Sequence, residues 1–178
     1  MNTLSLRTLG RHIQELRTAR GVSLSQLALD AGIAKSNLSR LEQGNGNPTL
    51  DTLWRLAVQL DVPFGDLVAP ISDPVEDNGF LLRLIDQGND SPRVDVYWMS
   101  CAPRSQHQSK AHNPGSRESI TVISGQIDVC IDTDSGTETT RVSAGEIYSF
   151  ASDRPHYYQT FESWTTVMVT MIYGEADA

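Results

Sequence analysis

Residues 23–44 read SLSQLALDAGIAKSNLSRLEQG, and they set out two short helices around a turn. Ser23 has the residue type and place of an N-cap, with Gln26 three residues on to complete a capping box. Leu24, Leu27 and Ala28 share one face of the helix that follows, and Gly32 closes it. Ala34, Leu38 and Leu41 then form the apolar stripe of a second helix, which Gly44 ends. Lys35, Ser36, Ser39, Arg40 and Gln43 fall on its opposite side, with Asn37 at the flank. That side is polar and short apart from two cations. It suits the major groove, where Arg reads guanine and Asn, Ser or Lys meets base edges or phosphates. The helix starts at Ser23 and around Thr49 offer backbone N–H groups suited to phosphate oxygens. Every amphipathic helix has a polar face, so the weight of this reading rests on what surrounds the pair.

Upstream, Leu9, Ile13 and Leu16 mark a helix that ends at Gly21. Downstream, Asn47-Pro48 breaks the chain, Leu50, Leu53, Ala57 and Leu60 outline a fourth helix, and PFGDLV forms a short fifth. Residues 69–79 carry Pro70, Pro74 and Gly79 without helical or strand periodicity, the composition of a linker. Beyond it the period changes to two. VDVYWMS, ESITVIS, QIDVCID, TTRVS, EIYSF and TTVMVTMIY are strand candidates, and short strands between turns indicate a small antiparallel sandwich or barrel.

The chain has 178 residues, 20% of them charged, which fits two small ordered domains. Its net charge of -8 is unevenly spread. Residues 1–68 hold seven basic and six acidic residues, whereas residues 69–178 hold seven basic and sixteen acidic ones. The first segment is nearly neutral, so any DNA affinity comes from a few well-placed groups and from pairing of two copies. No apolar run reaches the roughly 20 residues that cross a bilayer, and the start lacks a signal peptide pattern. Cys101 and Cys130 make neither a disulfide framework nor a metal-binding pair. Cys130 has the opposite parity to Ile127, Val129 and Ile131 and is expected to point outward. These features point to a cytoplasmic protein without a membrane partner.

From LRTARG through the closing LDVPFGDLV, the first segment resembles the XRE-type helix-turn-helix of lambda- and 434-like repressors. The matching features are RG before the first motif helix, SLSQLA, LSRLEQG, the NP-TL step and LDVP. The resemblance implies binding of double-stranded operator DNA by a homodimer. It places Lys35, Ser36, Asn37, Ser39 and Arg40 on the reading helix and Ser23, Ser25 and Gln26 near the DNA backbone. It also directs Asn45 and Asn47 toward phosphates, while Glu42 pairs inside the fold. KAHNPGSRESITVISGQIDVCID and SAGEIYSFASDRPHYY resemble the two cupin motifs, and the first is especially similar to regulators of sulfur utilisation. The fold class implied is a two-domain α + β protein. A five-helix, lambda repressor-like domain spans residues 1–68, followed by the linker at 69–79. A cupin barrel, a double-stranded β-helix of the jelly-roll type, spans residues 80–178.

Within the second segment, alternation puts Glu118 on the side of Ile120 and Val122, facing the barrel interior. A buried carboxylate needs a cation or hydrogen-bond donors. His112 just upstream, and His156 with Tyr158 on a later strand, are placed to supply them. Two imidazoles and one carboxylate are a ligand set for iron, zinc, nickel or manganese, with open positions for a small-molecule effector. The alternative is a set of hydrogen bonds among the same residues, or to an effector, without a metal. This chain departs from the fuller cupin pattern, with Lys110 two residues before His112, His107 at another spacing, and Thr160 at the later cupin asparagine. Trp98 and Tyr148 are candidates to line the pocket, and Arg104, with Lys110 and Arg117, to anchor an acidic ligand. The leading expectation is an effector-responsive regulator and not an enzyme. The competing one is a metal-dependent cupin enzyme with a helix-turn-helix-like head, similar to an iron-dependent phosphonate epoxidase.

Overall fold

The computed structural model describes residues 1, 3–71, 73–88 and 90–174. Residue 72 of the expected linker, and residues 89 and 175–178 of the expected cupin segment, lie outside the described residues. The chain divides into two compact units, Met1–Val75 and Glu76–Ala178.

The first unit holds α1 (Thr3–Ala19), α2 (Leu24–Asp30), α3 (Lys35–Glu42), α4 (Leu50–Gln59) and α5 (Phe64–Val68). Leu9, Ile13, Leu27, Leu38, Leu41, Leu53, Leu56 and Phe64 are buried together as its core. The helix stops share one local chemistry. Gly21, Gly32 and Gly44 follow α1, α2 and α3 in the left-handed region, where a residue without Cβ is least strained. After α3, Gly44 N–H donates to Leu41 O and Asn45 N–H to Arg40 O, which satisfies carbonyls the helix leaves open. Gly10 serves a different need. A Cβ there would lie 2.2 Å from Leu41 O and 2.9 Å from Glu42 O, so α1 and α3 approach backbone to backbone.

Details of this unit differ from the sequence reading. Ser23 caps α2 by accepting from Gln26 N–H at 3.1 Å, but the Gln26 side chain donates to Asp30, leaving the capping box half made. Ala34 is exposed as the N-cap of α3 and does not share the buried stripe of Leu38 and Leu41. Leu16 is half-buried, while the neighbouring Arg17 is drawn inside because it bonds Glu42.

The second unit is built from ten strands. Its six-stranded sheet has the order β1-β2-β3-β10-β5-β8 and its four-stranded sheet the order β4-β9-β6-β7. Here β1 is Val75–Asp77, β2 Phe80–Gly88, β3 Val94–Cys101, β4 Gln106–Ser109 and β5 Arg117–Ser124. The others are β6 Gln126–Thr133, β7 Gly136–Ser143, β8 Ile147–Ala151, β9 His156–Thr160 and β10 Thr165–Ile172. The inner residues of the two sheets alternate with outer ones, as in β10, where Thr165, Val167, Val169 and Met171 are buried. This is the jelly-roll barrel of the cupin fold.

Strands β1, β2 and β4 were absent from the sequence-derived candidates, β9 entered only as the later strand of His156 and Tyr158, and β1 occupies part of the segment read as a linker. Asn78 and Gly79, both with positive φ, make the tight turn that joins β1 to β2. Cys130 keeps its outward parity but is not exposed. It is 2% exposed, because β6 lies between β7 and β9 and carries Thr139 and Tyr157 as cross-strand neighbours of Cys130. Thr139 Oγ1 lies 3.4 Å from its sulfur.

Candidate DNA-reading surface and candidate metal centre

In the helical unit, α3 is anchored through its buried side and leaves the other side open. Leu38 and Leu41 enter the core. Arg17 of α1 forms a bidentate pair with Glu42, Nε to Oε1 at 2.7 Å and Nη2 to Oε2 at 2.9 Å, and Nη1 donates to Val22 O. The hydrogen bonds to Glu42 hold the Arg17 pKa above its ordinary value, against the opposing effect of burial. Arg55 of α4 fixes the turn between α2 and α3, donating from Nη1 to Ala31 O at 3.1 Å and Gly32 O at 2.9 Å. Asp51 holds Arg55 in place at 2.9 Å. Arg55 was not identified from the sequence; its (i, i+4) spacing from Asp51 was the available signal.

Lys35, Ser36, Asn37 and Arg40 are exposed on α3, and Ser39 is half-buried. Ser23, Ser25 and Gln26 are exposed around the start of α2. Asn45 and Asn47 are exposed in the loop after α3, where Arg40 Nη2 donates to Asn45 O at 3.3 Å. A groove of about 320 Å³ between α3 and the start of α4 brings Asn37, Arg40 and Asn47 together with Thr49 and Thr52. Thr49 caps α4 by accepting from Thr52 N–H at 3.2 Å.

In the barrel, the structure gathers four of the sequence-selected residues. Glu118 on β5 faces inward, 3% exposed. His112 Nε2 lies 2.8 Å from Glu118 Oε1, and Tyr158 of β9 donates its hydroxyl to Glu118 Oε2. His156 Nε2 lies 3.4 Å from Glu118 Oε1 and makes no hydrogen bond, although it is buried. The other ring nitrogen, Nδ1, lies 3.0 Å from Arg154 O. As the donor in that bond, Nδ1–H leaves the Nε2 lone pair directed into the cluster. The two imidazole rings meet edge to face at 5.1 Å. Phe150 packs against His156 and Tyr158, and Tyr148 stacks on Phe150 at 5.9 Å.

The electrostatics follow from burial and proximity. Burial alone would raise the Glu118 pKa, but the nearby charges of His156 and His112 and the hydrogen bond with His112 outweigh it and hold the carboxyl well below its ordinary range. Burial lowers the His112 pKa, with Glu118 opposing. Burial also works to lower the His156 pKa, yet the Glu118 carboxylate raises it on balance. The Tyr158 hydroxyl is pushed far up by burial and by the adjacent carboxylate, so it remains a donor.

The ligand atoms of His112, Glu118 and His156 all lie within 4.8 Å of one another. Two imidazole nitrogens and a carboxylate oxygen converging among buried residues fit a divalent metal ion, which would bind the imidazoles in their neutral form. The inward, unbonded Nε2 of His156 is the observation that fits a metal better than a hydrogen-bonded triad alone.

Other expected residues lie elsewhere. Trp98 projects from the outer side of β3, 37% exposed, because Asp95, Tyr97, Met99 and Cys101 occupy the inner positions. Arg104 sits exposed in the loop before β4 and pairs with Glu162. Lys110 and Arg117 are also exposed. His107 is buried 3.6 Å from Asp77, and Thr160 bonds Ala102 O and Ser105 N–H, so both tie loops and edge strands rather than join the cluster. Burial pushes the Cys101 thiol up to about 12.

A second buried carboxylate escaped the sequence reading. Asp95 accepts from Tyr97 OH at 3.0 Å and Tyr173 OH at 2.6 Å. Met171 stands between Asp95 and Glu118 in register, placing both acids on one inward rung. The parity argument used for Glu118 applies equally to Asp95 beside Tyr97 and Met99.

Comparison with known proteins covers both units. The helix-turn-helix family model HTH_3 matches residues 13–67, and the cupin domain model Cupin_2 matches residues 97–173. The HTH-type transcriptional regulator SutR of Escherichia coli strain K12 is 31% identical over 162 residues, 86% of this chain and 87% of that protein. The HTH-type transcriptional regulator SinR of Bacillus subtilis strain 168 is 42% identical over 55 residues, 30% of this chain and half of its own. In fold, an HTH_3 family transcriptional regulator from Vibrio cholerae matches 98% of this chain and 100% of its own with a TM-score of 0.86 at 23% identity. No helix among the described residues is long and apolar enough to cross a membrane. With a helix-turn-helix unit, a cupin unit and a regulator relative matched along most of its length, the chain belongs to the XRE-type helix-turn-helix transcriptional regulators that carry a cupin domain.

Proposed function

We propose that the protein is a cytoplasmic, sequence-specific regulator that binds a two-fold operator as a homodimer and responds to a small molecule in its barrel. The carrying observation is the division of α3 into two sides. Leu38, Leu41 and Glu42 are fixed within the unit, while Lys35, Ser36, Asn37 and Arg40 stay open to solvent beside the groove that holds Asn47. One such helix reads only a few base pairs, and a second copy supplies the remaining specificity. Arg40 is the base reader in this account and Lys35 a phosphate contact.

The barrel's part is binding rather than turnover. His112, Glu118 and His156 would hold a divalent ion such as zinc, iron or nickel. The ion would provide open coordination positions to a carboxylate or amine of the effector. Tyr158 and Tyr148 flank that site. Regulation then requires the effector to bind DNA-competent and DNA-incompetent arrangements with different affinity.

Selection of bound sequences from random duplex DNA, with metal content measured on the same preparation, tests this reading. A two-fold motif with half-sites about one helical turn apart is expected. Arg40→Ala should weaken binding to that motif by about 1–3 kcal/mol and relax sequence choice at one position of each half-site, with the head still folded. An unchanged motif with Arg40→Ala would remove Arg40 from base reading. Failure to enrich any motif, together with stoichiometric iron, would replace the regulator reading with an enzymatic one.

A further inference from the structure

The outer face of the six-stranded sheet differs in composition from the rest of its unit. Residues 69–178 contain sixteen acidic side chains, yet no outward position of β3, β10, β5 or β8 carries one. Arg117, at one end of β5, is the single charge among those positions. The register aligns Trp98, Met168, Thr121 and Ile147 as a continuous rung across the four strands. Along this face Trp98 is 37%, Ile123 49% and Ile147 66% exposed, so large apolar side chains stand in water. Contiguous exposed apolar surface of this kind marks an interaction site.

We propose that this face is where a second copy of the chain docks, joining two barrels through their six-stranded sheets. The inference rests on the homodimer reading above and adds the surface that makes the dimer. Three observations favour a second copy over other occupants. The acidic excess of nine charges makes two such units repel wherever acids face each other, and this face is free of them. An isologous contact also requires a surface complementary to itself, which a band of aromatic, aliphatic and hydroxyl side chains satisfies. The chain's own helical unit is a poorer match, since its exposed large apolar residues are Leu4 and Leu29 alone among the described residues.

Charge at the rim fits the same arrangement. On β2, Arg83 pairs in register with Trp98 and Asp86 with Val96, so one edge of the face carries opposite charges three residues apart. A two-fold axis makes one copy's Arg83 available to the other's Asp86. In size, three strands of eight residues and one of five span roughly 20 Å by 25 Å in plan at their widest. With the relief of the side chains and the flanking β2, this reaches the scale of about 800 Å² per partner in a specific interface.

Sedimentation equilibrium of the full chain, with and without its selected operator duplex, tests the assignment. Thr121→Arg puts a charge at the middle of the rung without altering a core residue. Ile147→Arg does so at the most exposed position, and serves as the second variant should Thr121→Arg disturb the fold by circular dichroism. Thr137→Arg, on β7 of the other sheet, is the control. The wild type and Thr137→Arg should be dimers, and each face variant should raise the dimer dissociation constant about 30-fold or more. Dimers of unchanged affinity in both face variants would overturn this surface while leaving the homodimer reading intact. A wild type that is monomeric both free and on DNA would overturn the homodimer reading, and this surface with it.

Discussion

At Glu118, one carboxylate is held by three different side chains, and each contact has its own consequence. Oε2 accepts from Tyr158, Oε1 faces His112 at 2.8 Å, and the same oxygen faces the unbonded Nε2 of His156 at 3.4 Å. A carboxylate so placed would serve a metal ion as an anionic ligand whose second oxygen is fixed by an outer donor. Glu118→Gln keeps the shape and removes the charge, so zinc affinity, measured by competition with a chromophoric chelator, should fall by more than about 100-fold. Tyr158→Phe removes only the outer hydrogen bond and should cost about 10–100-fold. Equal affinity in Tyr158→Phe and wild type would show that the phenol does not orient the carboxylate. Equal affinity in Glu118→Gln and wild type would exclude Glu118 as a ligand. The alternation of ESITVIS was enough to place Glu118 inside, since an acid among inward Ile120 and Val122 has to be accounted for. The same logic was available at Asp95 and was obscured by Trp98, whose outward position mimics a pocket aromatic when read from sequence alone.

At the scale of elements, glycine ends and polar caps made the first four helices readable because they mark local backbone chemistry. Gly21, Gly32 and Gly44 each lie just after a helix with positive φ, and Ser23 and Thr49 each cap the next one. Strands β1, β2 and β4 were less legible for a physical reason. FLLRLI in β2 does not alternate, β1 and β4 are too short to show a period, and their pairing is settled by partners distant in sequence. The Asn78-Gly79 turn was the missed local signal. Cys130 shows that parity gives direction and not exposure, because its small outward side chain is enclosed by its cross-strand neighbours Thr139 and Tyr157. After α4 the left-handed position is filled by Asp61, φ 46°, where α1, α2 and α3 use glycine. Val62 N–H donates to Ala57 O across it, so the geometry is that of the glycine ends. Arg20 contacts Asp61 mainly through the backbone carbonyl, at 2.8 Å, and the exposed side-chain contact at 3.4 Å is weaker. Asp61→Gly should therefore stabilise the helical unit by about 0.5–1 kcal/mol in thermal unfolding. Destabilisation would mean that the Arg20–Asp61 side-chain pair outweighs the backbone strain.

For the whole molecule, the division of charge constrains how it can engage DNA. The helical segment has seven basic and six acidic residues, and on α3 the exposed cations are Lys35 and Arg40. Counterion release follows the number of phosphates neutralised, with a slope of about -0.9 per cation–phosphate contact in a plot of log affinity against log salt. Lys35 at a phosphate in each head of a dimer gives two contacts and a slope of about -1.8, and even if Arg40 also lay near the backbone the ceiling would be four contacts and about -3.6. The hydrogen bonds from neutral donors such as Ser25, Asn47 and backbone N–H groups add affinity without adding to that slope. The acidic barrels contribute long-range repulsion that salt relieves, which makes the observed dependence shallower still. Fluorescence anisotropy with the selected operator between 50 and 200 mM salt should therefore give a slope no steeper than about -4. Lys35→Gln should reduce it by nearly two, one contact from each copy, while leaving the preferred sequence unchanged. A reduction of about one would indicate that a single head engages the duplex, against the dimeric reading. A wild-type slope of about -8 would move the phosphate contacts to arginines outside α3, and the exposed Arg11 and Arg20 of the α1 region would be the first to substitute.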